Sequence, residues 1–394
     1  VKNNQANRLT LPIALSLLWL FFIPLSHSTE STYLKTAILF VAYDQGESNA
    51  FLRIQERLKD AGIPYRILAM GRAAEVFEDD PALIRVAELT RNDTLYNNRN
   101  QPLDQRLVYQ LTEMISAKIV YTGMASRAQA QIANAWERTG ARVIAFYDNL
   151  EPIDTVQYVQ PFLAELRYAD AFHVPSARTA TSFQGLARAI GADVVVTGQP
   201  VMEEWDKSYQ QTNPGLLRHT LGIAPQQPVV LFAGDYSNSY PEALQTFISA
   251  ADMLPDILFL VTCHPKSDGS LERRAIAESP AKNIHLLDHN VFSTATLSTI
   301  ASVVIVHKSS IAQQAIYQGK PVIYVAKPDY HNLMLTEQLA IRASTPKPLA
   351  LMIDAHLKGY RVPAVAEKLG IPDAPGKTIA QLMIEGLNHY DNKH

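Results

Sequence analysis

The sequence predicts an α/β protein built as two successive parallel-sheet halves, and three observations predict it. Short β-branched apolar runs, the kind that lie buried on both faces of a parallel sheet, alternate with helix-like stretches from Thr36 onward. The series is interrupted once, between Gln199 and Gln227, by a Gln-Gln, an Asn-Pro-Gly and a Pro-Gln-Gln-Pro, and then begins again. The chain of 394 residues is long enough for two domains of ordinary size, each with its own core.

The first strand, residues 37–42, runs into Tyr43-Asp44-Gln45-Gly46-Glu47-Ser48 and a helix ending near Gly62, and residues 65–69 make the second strand. Residues 79–104 are polar and Asn-rich and read as an exposed loop. Residues 118–121, 142–146, 171–174 and 194–196 complete the first sheet, with a helix between Ser126 and Gly140. Residues 201–227 read as the hinge, holding a short helix near 216–221. The second sheet takes residues 229–232, 257–261, 284–287, 303–306 and 322–325. Between its last two strands Ser309 and Ser310 open a helix, which Gly319 stops and Pro321 cannot continue. Residues 377–388 form the final helix.

Composition narrows the function. A hydrophobic fraction of 47% against 19% charged residues is that of a folded globular chain, and a net charge of −3 speaks against a general nucleic-acid binder. Cys263 is the only cysteine, which excludes an internal disulfide, and its place after an apolar run predicts a small buried residue. No paired cysteine occurs and no metal site is expected. At the amino terminus Lys2 and Arg8 precede an apolar run over residues 9–25, followed by Ser26-His27-Ser28. This reads as a secretory signal peptide over residues 1–28, or as an uncleaved anchor touching the membrane through residues 9–25. Either places the body of the protein outside the cytoplasm, in the periplasm or on the outer side of the inner membrane. A start further downstream would instead leave it in the cytoplasm.

The loops after the strands carry the candidate chemistry. The first has no G-x-G-x-x-G, so no dinucleotide cofactor is expected. Its Asp44 and Glu47 read either as acids facing a cleft or as a helix N-cap with its first-turn glutamate. Gly234, in Ala233-Gly234-Asp235, would let the backbone approach a phosphate. Asp235 would oppose one unless it caps the next helix, and Ser237 and Ser239 offer neutral donors. His264, in Cys263-His264-Pro265-Lys266, either contacts a diphosphate or moves a proton, with Lys266 adding charge, or simply ends a strand. Ser309 and Ser310, with the N–H groups of the helix they open, form a place to hold a phosphate. His173 reads either as part of the cleft lining or, in preference, as a satisfied core residue. The G-x-S-x-G elbow of Ser-His-Asp hydrolases is absent.

The segment Val303 to Val325, VVIVHKSSIAQQAIYQGKPVIYV, resembles one in sugar-nucleotide enzymes made of two Rossmann-like domains: the GT-B type glycosyltransferases and the hydrolysing UDP-N-acetylglucosamine 2-epimerases. There it runs aspartate, serine, two glycines, two glutamates, alanine, then Gly-Lys-Pro. Here His307, Lys308, Ser309, Ser310, Gln313 and Gln314 fill the matching places. The His264-Pro265 pair and Thr197-Gly198-Gln199-Pro200-Val201 resemble further family segments. Phe146-Tyr147-Asp148-Asn149-Leu150 lies where the epimerases carry H-V-E-A-G-L, and Met124 stands where they carry a catalytic aspartate. The resemblance implies a GT-B-like fold, with domains over 29–200 and 228–394 facing a central cleft and the final helix crossing back. It implies a nucleotide-sugar donor held by Gly234, His264, Lys266, Ser309, Ser310 and Gln314, and a glycan or lipid acceptor near Glu47 and Asp148. Asp148, Glu47 and His264 are the catalytic candidates, with no metal or other cofactor. The implied activity is glycosyl transfer. The replaced acids keep two others open: an exported, non-catalytic glycan- or phosphate-binding protein, and a 2-epimerase relative.

Overall fold

The computed structural model describes residues 34–85, 98–288, 290–359 and 365–391. The expected signal segment over 1–28 lies outside the described residues. Among the described residues no helix is long and apolar enough to cross a membrane.

Among the described residues thirteen strands form two all-parallel sheets. The first holds β1 (Leu34–Ala42), β2 (Tyr65–Ala69), β3 (Leu83–Arg85), β4 (Ile115–Gly123), β5 (Arg142–Phe146), β6 (Ala171–Val174) and β7 (Asp193–Val196), in the order β3-β2-β1-β4-β5-β6-β7. The second holds β8 (Val229–Ala233), β9 (Leu258–Thr262), β10 (Ile284–Leu287), β11 (Val303–Val306), β12 (Val322–Val325) and β13 (Ile341–Ala343), in the order β10-β9-β8-β11-β12-β13. In each sheet the order reverses beside its first strand. Phe40 pairs with Tyr121 across one reversal, and Phe232 with Ile305 across the other. Loops on either side of such a reversal diverge and leave a crevice at the carboxyl ends of the strands. Every residue of β8, β9, β11 and β12 is buried, as strands covered by helices on both faces must be.

Three features depart from the sequence reading. The region expected as loop over 79–104 contains β3, and β13 was not expected at all. Both are three-residue edge strands paired on one side only, too short to leave an apolar run. The stretch read as a hinge is largely helical, over Met202–Gln211 and Pro214–Thr220, and its Met202, Trp205 and Leu217 are buried in the core of the second half. Its Gln-Gln and Asn-Pro-Gly mark the ends of these helices, and its Pro-Gln-Gln-Pro leads into β8. The last helix, Pro375–Asp391, leaves the second half and packs on the helix Gln45–Asp60 and on β4. There Ile379, Ala380, Met383 and Leu387 join Phe40, Phe51 and Tyr121 in one apolar cluster, which couples the end of the chain to the first sheet.

Candidate functional site

The carboxyl ends of the two sheets face one another across a cavity of about 420 Å³, lined from both halves. Asp44, Asp148 and Tyr158 stand on the first wall; Gly234, His264, Lys266, Ser309, Ser310 and Gln314 stand on the second.

The first wall is a hydrogen-bonded network. Asp44 caps the helix Gln45–Asp60 and pairs with the Arg99 guanidinium, Oδ2 to Nη2 at 2.6 Å. That guanidinium lies over the Tyr158 ring, 5.4 Å from its centre. Tyr158 in turn donates its hydroxyl to Asp148 Oδ1 at 2.6 Å. The backbone carbonyl of Asp148 accepts from the Gln199 side chain, so the Thr197–Val201 turn anchors the acid's main chain. Burial pushes the Asp148 carboxyl above its ordinary range; the Tyr158 hydroxyl pulls it back, and the Asp44 charge raises it again. Gly46 makes this approach feasible: a Cβ there would overlap Asp148 Oδ2. The missing side chain leaves room for the acid.

Glu47 corrects an expectation. It does not line the cleft. It is 2% exposed and turned under the loop, where its Oε1 accepts from Tyr43 N, from Asp44 N at 3.1 Å and from Gln129 Nε2 at 2.7 Å. The N-cap reading, with Asp44 and Glu47 as a reciprocal capping box, is the one the structure contains. Burial, and then the Asp148 charge, push its pKa to about 8 against the pull of the Tyr43 and Asp44 N–H groups. Substrate contact is therefore closed to Glu47, although it lies within electrostatic reach of Asp148.

The second wall is more open. His264 follows β9, and its Nδ1 accepts from Lys266 N at 3.0 Å, which leaves the proton of the neutral ring on Nε2. The ring lies against Tyr236, centres 4.4 Å apart, and Lys266 Nζ sits 5.0 Å over the same Tyr236 ring. Ser310 begins the helix Ile311–Tyr317 without spending its side chain as a cap, while Ser309 Oγ accepts weakly from Ile311 N at 3.3 Å. The glycine at 234 is explained by packing. Its N–H donates to the Thr262 carbonyl at 2.8 Å, and a Cβ would come within 2.5 Å of that oxygen. Gly234 thus lets two adjacent strand ends close up, which differs from the phosphate approach expected of it. Asp235 is no helix cap either: it accepts from Tyr236 N and Ser237 N in a local turn.

The remaining candidates are core residues. His173 is buried beside Tyr121, whose hydroxyl is 3.3 Å from Nδ1, and burial lowers its pKa to about 3. Cys263 is buried, and burial raises its thiol to about 11. Met124 is 2% exposed in the first core, so no acid reaches the cleft from that position. Among the described residues no group of three or more His, Cys, Asp and Glu is placed to hold a metal ion. The halves also touch beside the cleft: Leu333 N donates to Glu151 Oε2 at 2.7 Å, Gln313 reaches Asn149 at 3.4 Å, and Arg178 pairs with Glu337 at 2.9 Å. Sequence reading missed Tyr158 and Arg99. Neither sits in a motif, and Arg99 reaches Asp44 across 55 residues of chain.

No protein-family model matches the sequence, and no curated protein matches it. Solved structures do. UDP-GlcNAc 2-epimerase from Neisseria meningitidis bound to UDP-GlcNAc is similar at 14% identity, covering 90% of this chain and 100% of that one, with a TM-score of 0.60. UDP-GlcNAc 2-epimerase from Methanocaldococcus jannaschii is similar at 11% identity over 89% and 100%, with a TM-score of 0.64. MurG from Acinetobacter baumannii is similar at 12% identity over 89% and 99%, with a TM-score of 0.56. These likenesses establish the architecture: two Rossmann-like domains of the GT-B type, in a divergent chain.

Proposed function

We propose that this protein binds a nucleotide sugar in the central cleft and transfers its glycosyl group to the hydroxyl of a glycan or lipid acceptor. One observation carries the reading: a cavity of about 420 Å³ with a half-buried, hydrogen-bonded acid on one wall and His264, Lys266, Ser309 and Ser310 on the other. The diphosphate lies against the second wall, where Lys266 and the His264 Nε2–H offset its charge and the two serine hydroxyls donate to its oxygens. Gln314 is within the same lining and offers an amide to the ribose. The acceptor hydroxyl lies against Asp148. As that oxygen attacks the anomeric carbon, Asp148 takes its proton and the nucleoside diphosphate departs. A carboxylate raised by burial is a better base for this step than an exposed one, and the Tyr158 hydroxyl holds its Oδ1 in place. The reading calls for no metal and no further cofactor.

The similar structures named for 2-epimerases and for MurG support a sugar-nucleotide ligand. The epimerase variant of the reading is disfavoured by Met124, buried where an acid would be needed. The amides Gln313 and Gln314, where the resembled family has glutamates, favour a second reading: a protein that binds such ligands without turning them over.

The test is a thermal-shift series with UDP, GDP, CDP and their sugars. A ligand that binds only the folded state stabilises it by about 2.7 kcal/mol at a hundred times its Kd. We expect a concentration-dependent rise in Tm with at least one nucleotide, and release of nucleoside diphosphate once an acceptor is supplied. A rise without release under any acceptor supports the non-catalytic reading. A flat Tm with every nucleotide well above millimolar concentration would remove the site.

A further inference from the structure

A second cavity, of about 410 Å³, lies on the second domain between the start of the helix Tyr240–Asp252 and the ends of β11 and β12. Ser239, Glu242, His307, Lys308, Lys327 and Tyr330 are among its lining residues, and it shares no lining residue with the cleft. Inside it three side chains meet. Ser239 Oγ is 2.8 Å from His307 Nε2, His307 Nδ1 is 2.6 Å from the Val325 carbonyl, and Lys308 Nζ is 3.0 Å from Ser239 Oγ. A carbonyl oxygen can only accept, so Nδ1 of the neutral ring carries the proton and Nε2 offers its lone pair to the Ser239 hydroxyl. His307 is 3% exposed and held between these two bonds, while Ser239 is only partly covered and opens on the cavity.

We propose that Ser239 is a nucleophile, with His307 as its base, acting on a small carboxylic ester. The arrangement is nucleophile, base and orienting group in hydrogen-bond sequence, with a backbone carbonyl where the better-known triads use an acid. Such a site is recognised by geometry and roles, so the missing G-x-S-x-G elbow does not argue against it. Ser239 Oγ adds to the ester carbonyl carbon as its proton moves to His307 Nε2. The alcohol leaves, taking that proton, and the acyl group stays on Ser239. Water then adds to the acyl-serine, again losing its proton to His307. The carboxylic acid departs and Ser239 Oγ recovers its hydrogen. The sum is ester plus water giving acid plus alcohol. Lys308, already 3.0 Å from Oγ, and the positive end of the helix Tyr240–Asp252 are the groups placed to offset the charge that develops on oxygen. His307 and Lys308 stand where the resembled sugar-nucleotide family has aspartate and serine. The proposal stands on its own geometry and does not require the cleft to bind a nucleotide.

The experiment treats the full chain with a fluorophosphonate probe, and separately with p-nitrophenyl acetate, and reads intact mass, the modified peptide and the p-nitrophenol burst. The expected result is one adduct, mapped to Ser239, with a burst of one equivalent. Ser239→Ala abolishes the adduct, His307→Gln slows labelling by about 100-fold or more, and Lys308→Met slows it by about 10-fold. Circular dichroism melting establishes that each variant is folded. No adduct on Ser239 in the unaltered protein overturns the proposal whatever the variants do, and so does a labelling rate that folded His307→Gln leaves unchanged.

Discussion

The two walls of the cleft are built in opposite ways. On the first, the acids are committed: Asp44 to Arg99 and Asp148 to Tyr158, with Glu47 held beneath them by two backbone N–H groups and Gln129. On the second, Lys266 is exposed and Ser310 spends no side-chain hydrogen bond on its own helix. A committed, half-buried acid is held in place and its proton affinity is set by its surroundings, which suits chemistry. Uncommitted donors near solvent suit the capture of an anion. The contrast makes the first wall rigid and costly to alter and the second tolerant of change, with effects confined to binding.

Replacement experiments order themselves along this contrast. Asp148→Asn carries the largest expected effect. If the acid is the base, transfer falls by about 10²–10⁴-fold while nucleotide affinity, read from the thermal shift, changes little. Equal losses of both would erase the distinction between the walls. Next is Glu47. Its folded pKa of about 8 lies above the ordinary 4.5, so the folded state holds the extra proton between these values. The stability associated with that proton is complete below pH 4.5 and is lost as pH rises toward 8, by up to about 1.4 kcal/mol per pH unit. Glu47→Gln should flatten this slope in denaturant titrations repeated across that range. A slope unchanged by the substitution would mean that Glu47 ionises freely.

Smaller effects belong to the second wall and to the support of the first. Ser309→Ala with Ser310→Ala should weaken nucleotide binding by roughly 1.5–3 kcal/mol, the range for hydrogen bonds to charged groups, with melting of the unliganded protein nearly unchanged. A loss of intrinsic stability as large as the loss of binding would show these hydroxyls to be structural. Tyr158→Phe should have the mildest consequence. It removes the hydroxyl that pulls Asp148 down, so the acid limb of the pH–rate profile moves to higher pH, with the plateau rate altered by less than about tenfold. An unmoved limb would detach Tyr158 from the titration of Asp148.

Legibility divided along the same line. The second wall was largely readable. His264, Lys266, Ser309 and Ser310 each stand just after an apolar run, and parallel strands deliver the residues beyond their carboxyl ends to one edge of the sheet. The first wall was readable only at Asp44 and Asp148. Arg99 and Tyr158 come from irregular segments with no periodic signal, and they meet their acids only once the chain has folded. Glu47 was misassigned because a first-turn glutamate has one sequence signature whether it turns outward to a cleft or back to its own cap.

The sequence by itself determined the two parallel sheets, eleven of their thirteen strands and the loops that border the cleft, because buried strands need uninterrupted apolar runs and those are local. Tertiary structure alone decided the orientation of each polar side chain. That choice placed Glu47 beneath its loop, gave Gly46 and Gly234 their reasons through close backbone and carboxylate contacts, and set Ser239 against His307. These outcomes depend on which distant groups share a hydrogen bond, and on the cost of leaving any of them buried without one, which no local pattern records.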